Sequence, residues 1–191
     1  MMTSDSADSP FALHITWTCY GTWLPGDERG HVSNTLLPQG GFIRKQNIPG
    51  TPYAPGDEYT RDRARNLQKH ATARLDPDHA ICVAESLVNA VRTRNWRIIR
   101  AAIMPNHVHV LITDCPDDGP AVRRILKGVS QADLNRFIGY SRRWWTTGGS
   151  DRYKHGHQAI ENADRYIANQ ENMLAAICNM EIVPVPDAPP G

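Results

Sequence analysis

The chain lacks the sequence features of secreted, zinc-stabilised and membrane-spanning proteins. Its four cysteines are single and scattered, with no Cys-x-x-Cys pair, so we expect reduced thiols and no structural zinc site. No apolar run approaches the roughly 20 residues that a membrane helix needs. The first ten residues are polar and acidic, which is unlike a signal peptide. These absences favour a cytoplasmic protein.

The chain also lacks a strong net charge, since its formal charge is +1 with 21% charged residues. This balance is ordinary for a globular protein and does not by itself indicate a nucleic-acid partner. The cations are nevertheless unevenly distributed. Between residues 121 and 145 the single acid Asp133 is accompanied by Arg123, Arg124, Lys127, Arg136, Arg142 and Arg143. Such a segment predicts one basic surface, although solvated helix faces would give the same composition.

The length of 191 residues suits one domain with a genuine core. We expect a disordered leader at residues 1–10 and a single domain over residues 11–180. Residues 27–78 form a long insertion, which begins with an irregular stretch rich in Gly, Pro, Asn and Gln. Residues 181–191 are a Pro-rich tail.

Hydrophobic patterning predicts an α+β domain. Residues 11–20 alternate apolar and polar side chains, with His14, Thr16 and Thr18 on the polar side. A helix is expected over residues 77–94, strands over 96–103 and 107–113, a helix from Pro120, and a last helix from Asn162 to about Met180. This order indicates an antiparallel sheet with helices on one face and an open opposite face.

The segment of residues 107–113 carries the clearest chemical signal. On a strand, His107, His109 and Leu111 share one face, because successive side chains alternate between faces. Two histidines at this spacing can hold one metal ion, and the valines between them would pack on the opposite face. A half-buried strand whose histidines face solvent fits the same pattern.

A tyrosine and a glutamine form a second element of a site. Tyr166 and Gln170 are four residues apart on the predicted last helix, so they project from one face. A phenol has a pKa of about 10, and a tyrosine therefore needs a nearby cation or a polarised electrophile to act as a nucleophile at neutral pH. The two-histidine metal site would supply that, with the Gln170 carbonyl as an oxygen ligand. Packing in the core is the commoner role of such a tyrosine.

Together these blocks resemble a known family. His107-Val108-His109, after Met104-Pro105-Asn106, is similar to the His-hydrophobe-His motif of HUH endonucleases. The Tyr-x-x-x-Gln spacing of Tyr166 and Gln170 resembles the helix of the single-tyrosine transposases, both of insertion sequences and of repetitive extragenic palindromes. Residues 15–26 and 143–150 are also similar to that family, and the Tyr-x-x-x-Tyr pair of two-tyrosine initiators is absent. Residues 27–78 are longer than in compact members, and His155-Gly156-His157 is an additional pair that we interpret as a surface loop.

The resemblance implies a fold, a reaction and a cofactor. The fold would be a ferredoxin-like (RRM-like) domain of the HUH endonuclease type, with the histidine strand central in its sheet. A divalent ion, Mg²⁺ or Mn²⁺, would be held by His107, His109 and Gln170. Tyr166 would attack the scissile phosphate and form a 5′-phosphotyrosine, which allows the DNA strand to be rejoined without ATP.

The resemblance also implies partners. Family members act on single-stranded or hairpin DNA and are often homodimers, with the tyrosine helix serving its own or the partner's site. We expect the DNA contacts to come from the basic segment, namely Arg123, Arg124, Lys127, Arg142 and Arg143. Two other functions remain open: a domesticated protein that binds palindromic DNA without cutting it, and an RNA-binding ferredoxin-like module.

Overall fold

The structure, a computed structural model, describes residues 11–27, 56–115, 118–183 and 185, and the backbone of residues 35–36 and 42–43. The expected leader lies outside the described residues. So do residues 28–34, 37–41 and 44–55 of the expected insertion, and residues 184 and 186–191 of the expected tail.

The described chain contains both strands and helices. In chain order they are β1 (Phe11–Thr18), β2 (Thr35–Leu36), β3 (Phe42–Ile43), α1 (Glu58–Asn66), α2 (Pro77–Arg92), β4 (Arg97–Ile103), β5 (His107–Thr113), α3 (Gly119–Ile138), β6 (Ser150–His155), α4 (His157–Ala168), β7 (Ala175–Cys178) and β8 (Glu181–Val183). None of the helices in the described ranges combines the length and the apolar character needed to cross a bilayer.

Six strands form one antiparallel sheet in the order β6-β1-β5-β4-β7-β8, and β2 pairs with β3 separately. The segment β1-α2-β4-β5-α3-β6 has the βαββαβ order that is compatible with a ferredoxin-like fold. The predictions of an α+β fold and an antiparallel sheet are confirmed, and so is the strand at residues 107–113. Strand β5 lies between β1 and β4, in the middle of the sheet.

The main core lies between the sheet and helices α2 and α3. Leu13, Ile15 and Val110 contribute one side of it and are fully buried. Helix α2 begins at Pro77 after the N-cap Asp76, whose carboxylate accepts a hydrogen bond from the backbone N–H of His79. The helices complete the core with Val83, Leu87, Val91, Val122, Leu126 and Leu134.

Helix α4 covers the opposite face of the sheet, so the expectation of helices on one face alone is wrong. Ala163 and Ile167 of α4 are buried against Ala12, Ala102 and Leu111 of the sheet. The helix connects edge strand β6 to β7, which pairs with β4 on the far side, so the chain must cross the sheet. Four strand spacings are about 19 Å, close to the roughly 18 Å length of a 12-residue helix.

Both ends of α4 differ from the sequence prediction of a helix over residues 162–180. The helix begins directly after β6, because Gly156 (φ 79°, ψ 156°) adopts a backbone conformation that is essentially restricted to glycine. It ends at Ala168, and the apolar residues that follow form β7 and pair with β4. Asn179 and Met180 both have positive φ and turn the chain into β8, as in a type I′ hairpin. Pairing with an existing strand thus prevails over the helical pattern.

A bidentate ion pair joins α4 to β4. Arg100 Nε donates to Asp164 Oδ1 at 2.6 Å, and Arg100 Nη2 donates to Asp164 Oδ2 at 3.2 Å. The side chains are 25% and 31% exposed, so water screens the pair only in part. Because the apolar contact under α4 is small, we expect this pair to help fix the helix on the sheet.

Removing that ion pair should lower stability. In a double-mutant cycle of Arg100→Gln and Asp164→Asn, we expect a coupling of about 1 kcal/mol in the free energy of unfolding, measured in urea. The matched control is Arg97–Asp114, a single contact of 3.4 Å with side chains 55% and 58% exposed, for which we expect about half that coupling or less. Equal coupling in the two cycles would contradict a role in holding α4.

Candidate functional site

The histidines of β5 lie on the face that α4 covers. The register aligns Thr16 with His109 and His14 with Leu111 across the antiparallel β1–β5 pair. Directly opposite residues share a face, so His14 and Thr16 of β1 stand beside His109. The polar side of β1 and the histidine side of β5 are therefore one continuous surface.

A hydrogen-bond network fixes the two histidine rings of β5. His109 Nδ1 is 3.0 Å from Thr16 Oγ1 and 3.1 Å from His14 Nε2. His107 Nδ1 donates to Asn106 Oδ1 at 2.6 Å, and the centroids of the two β5 rings are 4.9 Å apart. A proton on Nδ1 places the ring's lone pair on Nε2, the arrangement that second-shell hydrogen bonds set up in metal-binding histidines.

Burial keeps two of the histidines uncharged. Burial, with the nearby His107 and His14 as smaller causes, lowers the pKa of His109 to about 3. The pKa of His14 falls to about 4, first through burial and then through the charges of Lys154 and Arg152. Neutral imidazoles at pH 7 carry the lone pair that a metal ligand or a hydrogen-bond acceptor needs.

Tyr166 lies against this histidine cluster in the same chain. Its ring centroid is 5.7 Å from that of His109 and 5.9 Å from that of His14, with edge-on geometry to both. Ala163 and Ile167 point into the small core under α4, so the neighbouring Tyr166 emerges at the side of the helix and is 54% exposed. A phenol that is half exposed and next to two neutral imidazoles is open to a substrate.

A cavity of about 590 Å³ lies between α4, β1 and β6 and reaches Tyr166 and His109. Gly149 forms part of its wall. A Cβ at Gly149 would lie 2.8 Å from the backbone oxygen of Thr16, so the chain can approach β1 this closely only with glycine. Its other polar or aromatic lining residues are His14, Thr16, Trp17, Thr18, Trp23, Ser150, Arg152, Lys154 and Asn162.

Gln170 lies on the other side of the histidine pair. It follows the C-cap Asn169 instead of continuing the helix, and its Nε2 donates to the Tyr166 carbonyl at 3.1 Å. Gln170 and His107 line a second hollow of about 680 Å³. Gln170 is thus near His107, Tyr166 is against His109, and the two histidine rings are neighbours.

The donor set determines which metal could bind. Within the described residues, no group of three or more His, Cys, Asp or Glu side chains is arranged to hold a metal ion. The predicted ligand set is two imidazoles and the Gln170 amide oxygen; His107 and Gln170 line one hollow, and His109 lines the cavity. The hydrogen bonds at Nδ1 of both rings fit this use, and mixed nitrogen and oxygen donors suit Mn²⁺ better than Mg²⁺.

Two of the five predicted DNA-binding cations are turned into the protein. Arg123 Nη1 is ion-paired with Asp151, and both side chains are largely buried. Lys127 Nζ donates to the carbonyl of Thr146 and, at 2.8 Å, to that of Gly148. Burial lowers the pKa of Lys127 to about 8, with the neighbouring Arg123 and Arg143 as further causes. These two side chains anchor the segment before β6 instead of pointing outward.

Of the other three, Arg142 donates to the Thr72 carbonyl and Arg143 donates to Thr147 Oγ1 at 2.7 Å, although Arg143 is exposed. Arg124 is exposed on α3. The Arg142 guanidinium lies 4.5 Å from the ring centroid of Trp144, and that of Arg143 lies 5.0 Å from Tyr20. Trp144 and Trp145 themselves are buried in the main core, which confirms that at least one of them is a core residue. The DNA-binding role of all five cations stays a prediction.

Four residues near the cluster escaped the sequence analysis: His14, Thr16, Arg152 and Lys154. The alternation of residues 11–20 placed the first two on a polar face, but only the β1–β5 register brings that face to His109. Arg152 and Lys154 are aligned with His14 and Ala12 across the β1–β6 pair, and both line the cavity. In the sequence, Arg152 and Lys154 are only two cations spaced two residues apart, a pattern too common to indicate a site.

The second histidine pair is a strand–helix junction. His155 ends β6 and His157 begins α4, so the expected loop is replaced by the single residue Gly156, while both histidines are exposed as expected of a surface pair. The hydroxyl of the nearby Tyr153 accepts a hydrogen bond from the backbone N–H of Gly119 at 3.2 Å. Tyr153 is therefore directed to the α3 side of the sheet, away from His109.

Neither protein-family models nor curated proteins match this chain. A functional assignment must therefore depend on the geometry of the cluster. The cluster contains two neutral histidines on neighbouring strands, a partly exposed tyrosine against them, and an adjoining cavity with two cations.

The buried histidines should make the metal-free protein sensitive to acid. Between pH 6.5 and about 4, the unfolded chain takes up protons on His14 that the folded chain does not, so the free energy of unfolding falls as pH falls. The slope from one such group is at most roughly 1.4 kcal/mol per pH unit. Urea unfolding is measured in EDTA at several pH values. The free energy of unfolding of His14→Gln should change less with pH than that of the wild type. Identical slopes for the variant and the wild type would contradict the assignment.

Proposed function

We propose that this protein is a metal-dependent single-strand DNA endonuclease and strand transferase of the single-tyrosine HUH type. It cleaves and rejoins DNA at hairpin or palindromic sites through a 5′-phosphotyrosine. The observation that carries the proposal is the contact between Tyr166 and the neutral histidine His109 on the central strand, at the end of an open cavity. A tyrosine with only a packing role would not need two neutral imidazoles at its edge.

Tyr166 is the nucleophile of the proposed reaction. Its Oη forms a bond to the scissile phosphorus, the bond from phosphorus to the 3′ oxygen breaks, and the phenolic proton is balanced by protonation of the released 3′-OH. The phosphodiester energy is retained in the tyrosyl ester, so a second 3′-OH can reverse the step and join a new strand. Half exposure of the ring gives an incoming strand access to Oη.

His107, His109 and Gln170 are the proposed metal ligands. When bound there, a divalent ion would supply positive charge against the negative charge that develops on the phosphate oxygens. The protein's own part is to hold the imidazoles. The Asn106 amide oxygen can only accept, so it keeps the proton of His107 on Nδ1, while Thr16 and His14 fix the orientation of the His109 ring. Without the Asn106 amide, the proton of a neutral His107 ring could occupy either ring nitrogen.

One chain supplies every residue that this mechanism uses. Helix α4 packs on its own sheet, and the Arg100–Asp164 pair holds it there. We therefore propose that strand cleavage occurs within one subunit. The homodimer remains a prediction, and it would serve to bring two DNA ends together for rejoining.

Replacing the Tyr166 hydroxyl should abolish the reaction and leave the fold intact. Tyr166→Phe keeps the ring, so we expect unchanged thermal unfolding and hairpin binding but no covalent adduct with 3′-labelled hairpin DNA and Mn²⁺ on a denaturing gel. Tyr153→Phe is the matched control, because Tyr153 is also partly exposed but faces α3. Mass spectrometry of the wild-type adduct should place the phosphate on Tyr166; finding it on Tyr153 or a serine would overturn the assignment.

Metal removal should separate cleavage from binding. His107→Ala, His109→Ala or EDTA should each abolish cleavage while hairpin affinity is largely retained, because affinity comes mainly from phosphate contacts. Cleavage of undiminished rate in EDTA would refute the metal site. If DNA binds but no adduct forms under any metal condition, the protein is instead a non-catalytic palindrome-binding protein. Preference for an RNA hairpin would support the RNA-binding alternative.

A further inference from the structure

Strand β6 carries two cations on the face that leads to Tyr166. Arg152 lies opposite His14 and Lys154 lies opposite Ala12 in the β1–β6 pair, so both share the histidine face of the sheet. Both line the cavity of about 590 Å³ that reaches Tyr166. Residues two apart on a strand are separated by about 7 Å, which gives two positive charges along one wall.

The cavity wall formed by β6 is positively charged. Within the part of the chain that the structure describes, neither Arg152 nor Lys154 forms an ion pair, and no acidic residue lines the cavity. Arg123 and Lys127 differ from these two cations, because Arg123 is paired with Asp151 and Lys127 donates to backbone carbonyls. The field of the two β6 cations also reaches the cluster, since both lower the pKa of His14. An anion entering the cavity would meet these charges first.

The cavity suits a strand of nucleic acid better than a free anion. Two cations along one strand match successive phosphates, whereas one small anion would engage only one of them. Trp23 and Tyr166 also line the cavity, and aromatic rings beside cations give surfaces on which unpaired bases stack. The exposed Asn162, one helical turn before Tyr166, adds an amide that can hydrogen-bond a base edge.

We propose that Arg152 and Lys154 form a phosphate-binding subsite for the single strand that flanks the reacting phosphate. The subsite rests on the proposed function, because it guides that strand along β6 to Tyr166. It also differs from the basic segment of residues 121–145, which the sequence alone had indicated.

The test measures binding without cleavage, using the full-length chain in EDTA and a fluorescent hairpin DNA with a single-stranded flank. Binding curves at several salt concentrations give the slope of log affinity against log salt. For a single strand, each phosphate that the protein no longer neutralises should reduce that slope by about 0.7. We therefore expect Arg152→Gln/Lys154→Gln to weaken binding and flatten the slope by about 1.4.

Two control variants isolate the cause. Arg152→Lys/Lys154→Arg keeps both charges and should keep the wild-type slope. Arg65→Gln/Arg92→Gln removes the same charge from exposed positions on α1 and α2 and should leave the slope nearly unchanged. All variants should retain the wild-type thermal unfolding midpoint, because β6 is an edge strand and Arg152 is exposed.

The outcomes distinguish this subsite from the proposed reaction. An unchanged slope in Arg152→Gln/Lys154→Gln overturns the subsite, as does an equal reduction in Arg65→Gln/Arg92→Gln. Absence of hairpin DNA binding by the wild type, or binding of the matching RNA hairpin alone, also overturns it. If the slope falls as expected while wild-type protein forms no tyrosyl adduct, the subsite holds and the proposed reaction fails.

Discussion

The crossing of helix α4 over the sheet is the constraint on which the candidate site depends. Strand β6 is at one edge, and the next strand in sequence, β7, pairs with β4 on the far side. The chain between them must therefore pass over β1, β5 and β4, and it does so on the face that bears the histidines. A helix of 12 residues matches that distance, so Tyr166 reaches the histidines as a consequence of connectivity and length. The buried contact of Ala163 and Ile167 then sets which side of the helix faces the sheet.

The charged residues of the protein divide into two groups with different roles. Arg123 and Lys127 are turned inward and hold the segment before β6, where Gly149 approaches Thr16 too closely for any side chain. Arg123 and Lys127 therefore stabilise the segment that forms part of the cavity wall without lining the cavity themselves. Arg152 and Lys154 line the cavity on the next strand, and neither forms an ion pair with another described residue. The buried positions of Arg123 and Lys127 are stable because each cation meets a carboxylate or several carbonyls. An unpaired buried charge would be costly.

Patterning in the sequence was sufficient for several individual elements of the fold. Alternation identified β1 and β5, a period of 3.6 identified α2, and Pro120 lies in the first turn of α3. These features are local, because the face that a side chain occupies follows from its own backbone geometry. The end of the chain was harder. Residues 169–180 have helix-compatible composition, yet the edge of β4 offers unpaired backbone groups, and pairing with it produces the β7–β8 hairpin.

By itself the sequence determined the α+β class, the histidine strand with its two faces, and the four residues nominated for the reaction: His107, His109, Tyr166 and Gln170. Only the tertiary structure decided that His14 and Thr16 join His109, that both faces of the sheet are covered, and that Gln170 follows the helix instead of extending it. It also decided which cations are internal and which line the cavity. The physical reason is that strand register, strand order and helix crossing are contacts between residues distant in sequence, and no local pattern specifies which distant partner a strand will choose.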